Sequence, residues 1–217
     1  MISEYFDIFK GKYHKLRGIR FMSRARFKKA LTHFERAILL HEDLDSMFYY
    51  STCLISLNQH NKAISYLERV LEKSAENILV STMLAECYLV DREWEKAEQF
   101  INTLQVNNEE NQFVLKLQNI AQCPVLRENY ATSKEYFFKS MDDLENTRYD
   151  SAFENIKKAI EFDDENSSHY FTAGLILFTA KKPKQEIENY LEKAISLSPQ
   201  NENYKQQLHF IKTKYNY

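Results

Sequence analysis

Small and apolar side chains recur along this chain in a fixed phase. Four alanines, Ala30, Ala63, Ala97 and Ala152, each follow a small residue by twelve positions: Gly18, Ser51, Ala85 and Ser140. Three positions before each alanine stands an aromatic or a histidine: Phe27, His60, Trp94 and Tyr149. Four positions after each comes Phe34, Leu67, Ile101 or Ile156, and three further on Ala37, Val70, Leu104 or Ala159. Spacings of three and four put such side chains on one face of a helix. The first three alanines are 33 and 34 residues apart, and the fourth lies 55 beyond the third, one period plus 21. A fifth unit starts with Gly174 and continues as Tyr190-Leu191-Glu192-Lys193-Ala194, one residue longer at its internal turn near Pro183. The pattern predicts antiparallel helix pairs that touch where both faces lack bulk, with Gly18 near Ala30 and Ser51 near Ala63. Larger neighbours fill the gaps between successive pairs.

Residues 112–132 break this register. Phe113, Val114 and Leu117 predict a helix ending before Cys123-Pro124, because proline disfavours helix in the residue before it. Thr132 followed by Glu135 reads as a capping box that opens the next unit. The segment lacks the Gly/Ser-rich composition of a flexible linker, so it reads as a degenerate unit that changes the direction of the stack. Residues 201–217, where Tyr204, Leu208 and Ile211 alternate with Lys and Gln, suit a capping helix with its polar side to water.

The register resembles that of the tetratricopeptide repeat family, a helix-turn-helix unit of about 34 residues. The resemblance covers residues 11–111 and 133–200 and is closest at Tyr190-Leu191-Glu192-Lys193-Ala194-Ile195-Ser196-Leu197-Ser198-Pro199. It departs at the intra-unit turn, where the family's frequent glycine is missing from the first four units. Arg17 and Lys139 stand at apolar positions, and Asp143 at an aromatic one. The resemblance implies an all-α, right-handed α-solenoid. Three units fill residues 1–111, an irregular helical connection 112–132, two further units 133–200 and a cap 201–217.

Composition excludes much else. Three glycines and three prolines in 217 residues are too few for an all-β protein, and neither a phosphate loop nor a dinucleotide fingerprint occurs. With 44% hydrophobic and 28% charged residues the chain is not disordered. Met1 to Lys10 has no apolar leader segment, and the greasy stretch Ala173 to Ala180 is far short of a membrane span. Cys53, Cys87 and Cys123 are widely spaced with no CxxC, which suits reduced, buried thiols in a cytoplasm. The six histidines form neither HxxxH nor HExxH, and His33 and His209 read as solvated. Glu42-Asp43 and Asp163-Asp164-Glu165 read as solvated turn charges. No catalytic, cofactor or metal site is expected.

Binding is the expected function. In the family, the inner stripe of each first helix faces a concave groove, and here that stripe is largely apolar. The candidate partner-binding residues are Phe48, Tyr49, Thr52 and Ile55, then Met83 and Glu86, then Phe137, Phe138 and Met141, then Phe171, Leu175 and Phe178. Aromatics of this kind anchor interfaces. A subclass of the family clamps terminal carboxylates with Lys and Asn; Lys15 matches, but Ile19, Tyr49, Leu79 and Met83 replace its other clamp residues. An apolar peptide or amphipathic helix fits better. The implied role is a non-catalytic scaffold, the alternatives being a chaperone of the type III secretion kind or a regulatory module acting on an enzyme in trans. Filling of the groove by residues 112–132 or by self-association competes with an external partner. Residues 1–40 hold ten Lys/Arg and three Asp/Glu, net +7, whereas 41–110 hold five and thirteen, net −8. That division could steer an acidic partner. The basic residues are spread around the helices, which argues against nucleic acid.

Overall fold

The computed structural model describes residues 2–24, 26–106 and 111–214, which form twelve helices and no strand. Residues 107–110 and 215–217, which fall in the predicted third unit and the predicted cap, lie outside the described residues. Contacts divide the chain into two compact units, up to Arg127 and from Glu128. The first holds α1 (Ile2–Met22), α2 (Phe27–Leu40), α3 (Leu44–Ser56), α4 (His60–Lys73), α5 (Ile78–Val90), α6 (Trp94–Val106) and α7 (Gln112–Gln122). Helix α8 (Pro124–Glu145) crosses the boundary. The second unit continues with α9 (Tyr149–Phe162), α10 (Ser167–Thr179), α11 (Lys184–Leu197) and α12 (Glu202–Lys214).

Two local devices set the repeat. The first helix of a pair starts on an Asx cap: Asp43 accepts from Ser46 N, Asn77 from Val80 N, Asn111 from Val114 N and Asn166 from Ser168 N. The caps at 43, 77 and 111 follow one another at 34 residues, so α7 begins in phase with α3 and α5. The second device is the turn inside each pair. Gln59 N donates to Leu54 O (2.9 Å), Glu93 N to Tyr88 O (3.0 Å), Arg148 N to Asp143 O (2.8 Å) and Lys182 N to Leu177 O (2.9 Å). The residue before each donor is left-handed: Asn58 (φ 57°), Arg92 (59°), Thr147 (58°) and Lys181 (56°). These four are Schellman turns with no glycine at the left-handed position, the fifth unit included. The second helices α2, α4, α9 and α11 start without a side-chain cap.

The small residues at Gly18 and Gly174 permit close approach. Gly18 lies beneath the buried Phe34 ring, where a Cβ would come 2.6 Å from Phe34 Cε1. Gly174 lies likewise under Leu191 (2.8 Å). Ser140 Oγ donates to Ala152 O and Ser133 Oγ to Ala159 O, both at 2.8 Å, fastening α8 to α9. All four marker alanines are fully buried.

The predicted capping box does not form. Thr132 sits in mid-helix in α8, its hydroxyl towards Glu128 at 3.5 Å. Pro124 opens α8 at a position where proline is preorganised, and no Gly or Pro follows before Asn146, so the helix runs through the point where a turn would fall. The departures from the family pattern have physical answers. Arg17 is exposed, donates to Tyr13 Oη (2.9 Å) and lies over the Tyr13 and Phe21 rings. Lys139 is exposed, pairs with Glu135 (2.7 Å) and lies over Tyr136. Asp143 is buried but accepts from Ser151 Oγ (2.5 Å), Arg148 Nε (2.7 Å) and Asn155 Nδ2 (2.9 Å). The Ser151 hydroxyl leads these partners in holding its carboxyl below the usual carboxylate range, against the opposing pull of burial.

Candidate docking surface

Helices α3 and α5 differ in make-up from α2 and α4. The latter are amphipathic, with one buried stripe each, whereas α3 and α5 carry apolar residues around most of their circumference. Met47, Tyr50, Cys53 and Leu54 bury one side of α3. Phe48, Tyr49, Thr52 and Ile55, on its other sides, are half-buried. Phe48 meets Tyr49 edge-on, ring centroids 5.5 Å apart, and Tyr49 stacks at 5.6 Å on Phe34 of α2. Thr52 Oγ1 donates to Phe48 O (3.0 Å). On α5, Met83 and Glu86 are half-buried and Leu79 is 56% exposed, while Thr82 and Leu89 of the expected stripe are buried.

The second unit treats its stripe differently. Phe137, Phe138, Met141, Phe171, Leu175 and Phe178 are again half-buried, yet the chain supplies cover for several. Phe137 packs on the α9–α10 core with its ring 5.4 Å from His169. Phe138 lies edge-on to Phe137 at 5.5 Å. Phe171 stacks on Tyr204 of α12 at 4.5 Å, and Phe178 meets Phe210 of α12 edge-on at 6.0 Å. Helix α12 thus covers part of α10's stripe, an occupant absent from the sequence expectation.

Charge around the first unit is organised. Lys15 donates to Asp43 (2.9 Å) and Asp45 (3.1 Å), joining α1 to α3. Burial pulls its ammonium down, but the two carboxylates outweigh that and hold it above its ordinary value. It is therefore engaged in the fold. The acidic clusters are not simply solvated: Asp43 caps α3, and Asp163 accepts from Asn166 Nδ2 (3.0 Å). His33 is half-buried rather than solvated, its Nδ1 3.0 Å from His14 Nδ1 and its ring stacked on Phe21. Burial, then Arg36 and Arg17, lower His14; burial, then His14 and the same arginines, lower His33. Burial lowers the His169 imidazole to about 4 and pushes the Cys53 thiol up to about 12. A buried thiol held protonated is a poor nucleophile. A cavity of about 410 Å³ at the turns 147–151 and 180–182 is lined by Arg148, which pairs with Asp142 and Asp143, and by Lys182, which pairs with Asp150. Among the described residues no three His, Cys, Asp or Glu converge as metal ligands, and no helix is long and apolar enough to cross a membrane.

Residues 23–104 match the family model described as "Anaphase-promoting complex, cyclosome, subunit 3", well under half of the chain. Comparison with curated proteins gave no match. Among solved structures, residues 41 to the end of MamA from Desulfovibrio magneticus are 14% identical, covering 88% of this chain and 96% of that one, with a TM-score of 0.44. TTC0263, a thermophilic TPR protein of Thermus thermophilus, is 15% identical over 93% of this chain and 98% of its own, TM-score 0.41. The TPR2AB domain of yeast Sti1, solved as a complex with pHSP90, is 15% identical over 94% and 98%, TM-score 0.42. The repeat itself, with its in-phase small residues and paired helices, is tetratricopeptide-like.

Proposed function

We infer that this chain is a non-catalytic interaction scaffold whose first unit docks a peptide or amphipathic helix along α3 and α5. One observation carries the reading: both helices are apolar beyond the face their own core requires. A helix apolar around its circumference belongs in an interior, and α3 and α5 have part of that surface half-exposed. Phe48 and Ile55 on α3 and Met83 on α5 would anchor the ligand, with Glu86 among them. The second unit is a weaker candidate, since Tyr204 and Phe210 already occupy Phe171 and Phe178. A cytoplasmic setting agrees with three free thiols, two of them buried.

The test is affinity co-purification of wild type beside Phe48→Asp/Met83→Asp, with mass spectrometry of what is lost. Loss of a hot-spot aromatic costs about 2 kcal/mol or more, roughly thirtyfold in affinity, enough to remove a micromolar partner. A variant that keeps its helical circular dichroism and every wild-type partner would end this reading.

A further inference from the structure

The outer face of α1 carries a run of exposed apolar side chains distinct from those of α3 and α5. Phe6, Phe9, Tyr13 and Leu16 follow one another at spacings of three, four and three. They are 60%, 72%, 51% and 67% exposed. At about 100° per residue these four fall on one narrow stripe, opposite the side that carries Gly11 and Gly18. Gly11 packs on Ala37 and His41, and Gly18 on Phe34, so the stripe points away from α2. Helix α1 is also longer than its partner, 21 residues against 14. Because Gly11 already meets the last turn of α2, residues 2–10 run on past its end. The stripe spans two heptads of apolar seam.

The borders of the seam say what fits it. Lys10, Lys12 and Arg17 flank it and are exposed, while Asp7 lies round on the Gly11 side. Lys10 sits over the Phe6 ring at 4.6 Å, and Arg17 donates to Tyr13 Oη at 2.9 Å. The charge of residues 1–40 is net +7. We propose that the α1 seam pairs with an acidic amphipathic helix of another protein, apolar at its a and d positions and Glu- or Asp-rich at the flanking ones. A second copy of this chain is disfavoured, because a two-fold pairing would set Lys10 and Lys12 of both copies against each other. Tyr5, 73% exposed, adjoins the seam on the Leu16 side; a membrane surface, the other occupant of such a face, is an outcome of the test below.

The experiment uses the full chain and designed peptides followed by fluorescence anisotropy. One peptide carries Leu at a and d with Glu at the flanks; a second has Lys at the flanks; a third is a scrambled acidic sequence. The acidic heptad peptide should bind at least tenfold tighter than either control. Phe9→Asp/Leu16→Asp should lose that binding, whereas Phe48→Asp/Met83→Asp should keep it. Lys10→Glu/Lys12→Glu/Arg17→Glu should reverse the preference to the basic peptide, a result that loss of folding could not mimic. Equal binding of acidic and basic peptides, or full affinity in the Phe9→Asp/Leu16→Asp variant, would overturn the proposal. So would seam-dependent sedimentation with phosphatidylserine/phosphatidylcholine vesicles without peptide binding, or seam-dependent dimerisation in analytical ultracentrifugation without peptide binding.

Discussion

Replacing Thr147 by glycine should stabilise the second unit. Thr147 is β-branched, exposed, and held at φ 58°, where its Cβ crowds the carbonyl. That left-handed conformation costs an L-residue about 1–2 kcal/mol. Glycine removes the cost but gives back about 0.5–1 kcal/mol through its freer unfolded chain. No packing is lost, and the backbone bonds from Thr147 N to Leu144 O (3.0 Å) and from Arg148 N to Asp143 O are untouched. The net expectation is a gain of about 0.5–1 kcal/mol. Lys181, at φ 56° in the same unit, has no branch at Cβ, so Lys181→Gly should gain less; Asn58→Gly, in the first unit, should gain least, because Asn tolerates this region. Urea denaturation followed by far-ultraviolet circular dichroism is the assay, with a raised midpoint at constant slope as the signature. A lowered midpoint for Thr147→Gly, or a gain no larger than that of Lys181→Gly, would refute the strain argument.

Two further outcomes concern packing and pH. Gly18→Ala forces a Cβ to within 2.6 Å of the buried Phe34 ring, and its cost of about 1–3 kcal/mol exceeds the helix-propensity gain of about 1 kcal/mol. Gly11→Ala meets nothing nearer than His41 Cβ at 3.3 Å and should be close to neutral; equal thermal shifts for the two variants would refute this. His169 has a folded pKa lowered to about 4 by burial, so its neutral form is favoured and its contribution is complete above the unfolded value. As pH falls from about 6.5 to 4 the second unit should lose up to about 3 kcal/mol. His169→Asn should flatten the urea midpoint over that window; an unchanged slope would count against it. The depressed pKa of Asp143 acts lower, its contribution being lost as pH falls below the ordinary carboxylate range.

The helix pairs were legible because close approach demands a residue type: bulk at Gly18 or Gly174 would strike Phe34 or Leu191. The turns between the helices were not, because a left-handed residue costs only about a kilocalorie where two backbone bonds support it, and Arg92 or Lys181 can bear that. The Asx caps at 43, 77 and 111 were a readable period that would have kept α7 in register. Thr132 misled because a capping box needs a break in the preceding helix, and residues 125–131 contain none. Asp143 in an aromatic slot looked like a defect until Ser151, Arg148 and Asn155 were seen to satisfy it. The candidate stripe was readable as a set of positions. Its cover by Tyr204 and Phe210 was not, because it depends on how α12 lies against α10.

The charge division of the chain separates the two proposed surfaces. The α1 seam lies in the segment of net +7, and the α3–α5 stripe in the segment of net −8, with Glu86 on it. Apolar burial drives docking at either surface at about 25 cal/mol per Å², but it does not discriminate between helices of similar hydrophobicity. Discrimination falls to the borders, where like charges repel the wrong ligand. On the proposed reading the seam would select acidic flanks and the stripe neutral or basic ones, so a single ligand sequence would not satisfy both. The ion pairs from Lys15 to Asp43 and Asp45 tie the basic helix to the acidic one that follows. On the proposed reading, two ligands of opposite charge would be held by the hairpins of the first unit.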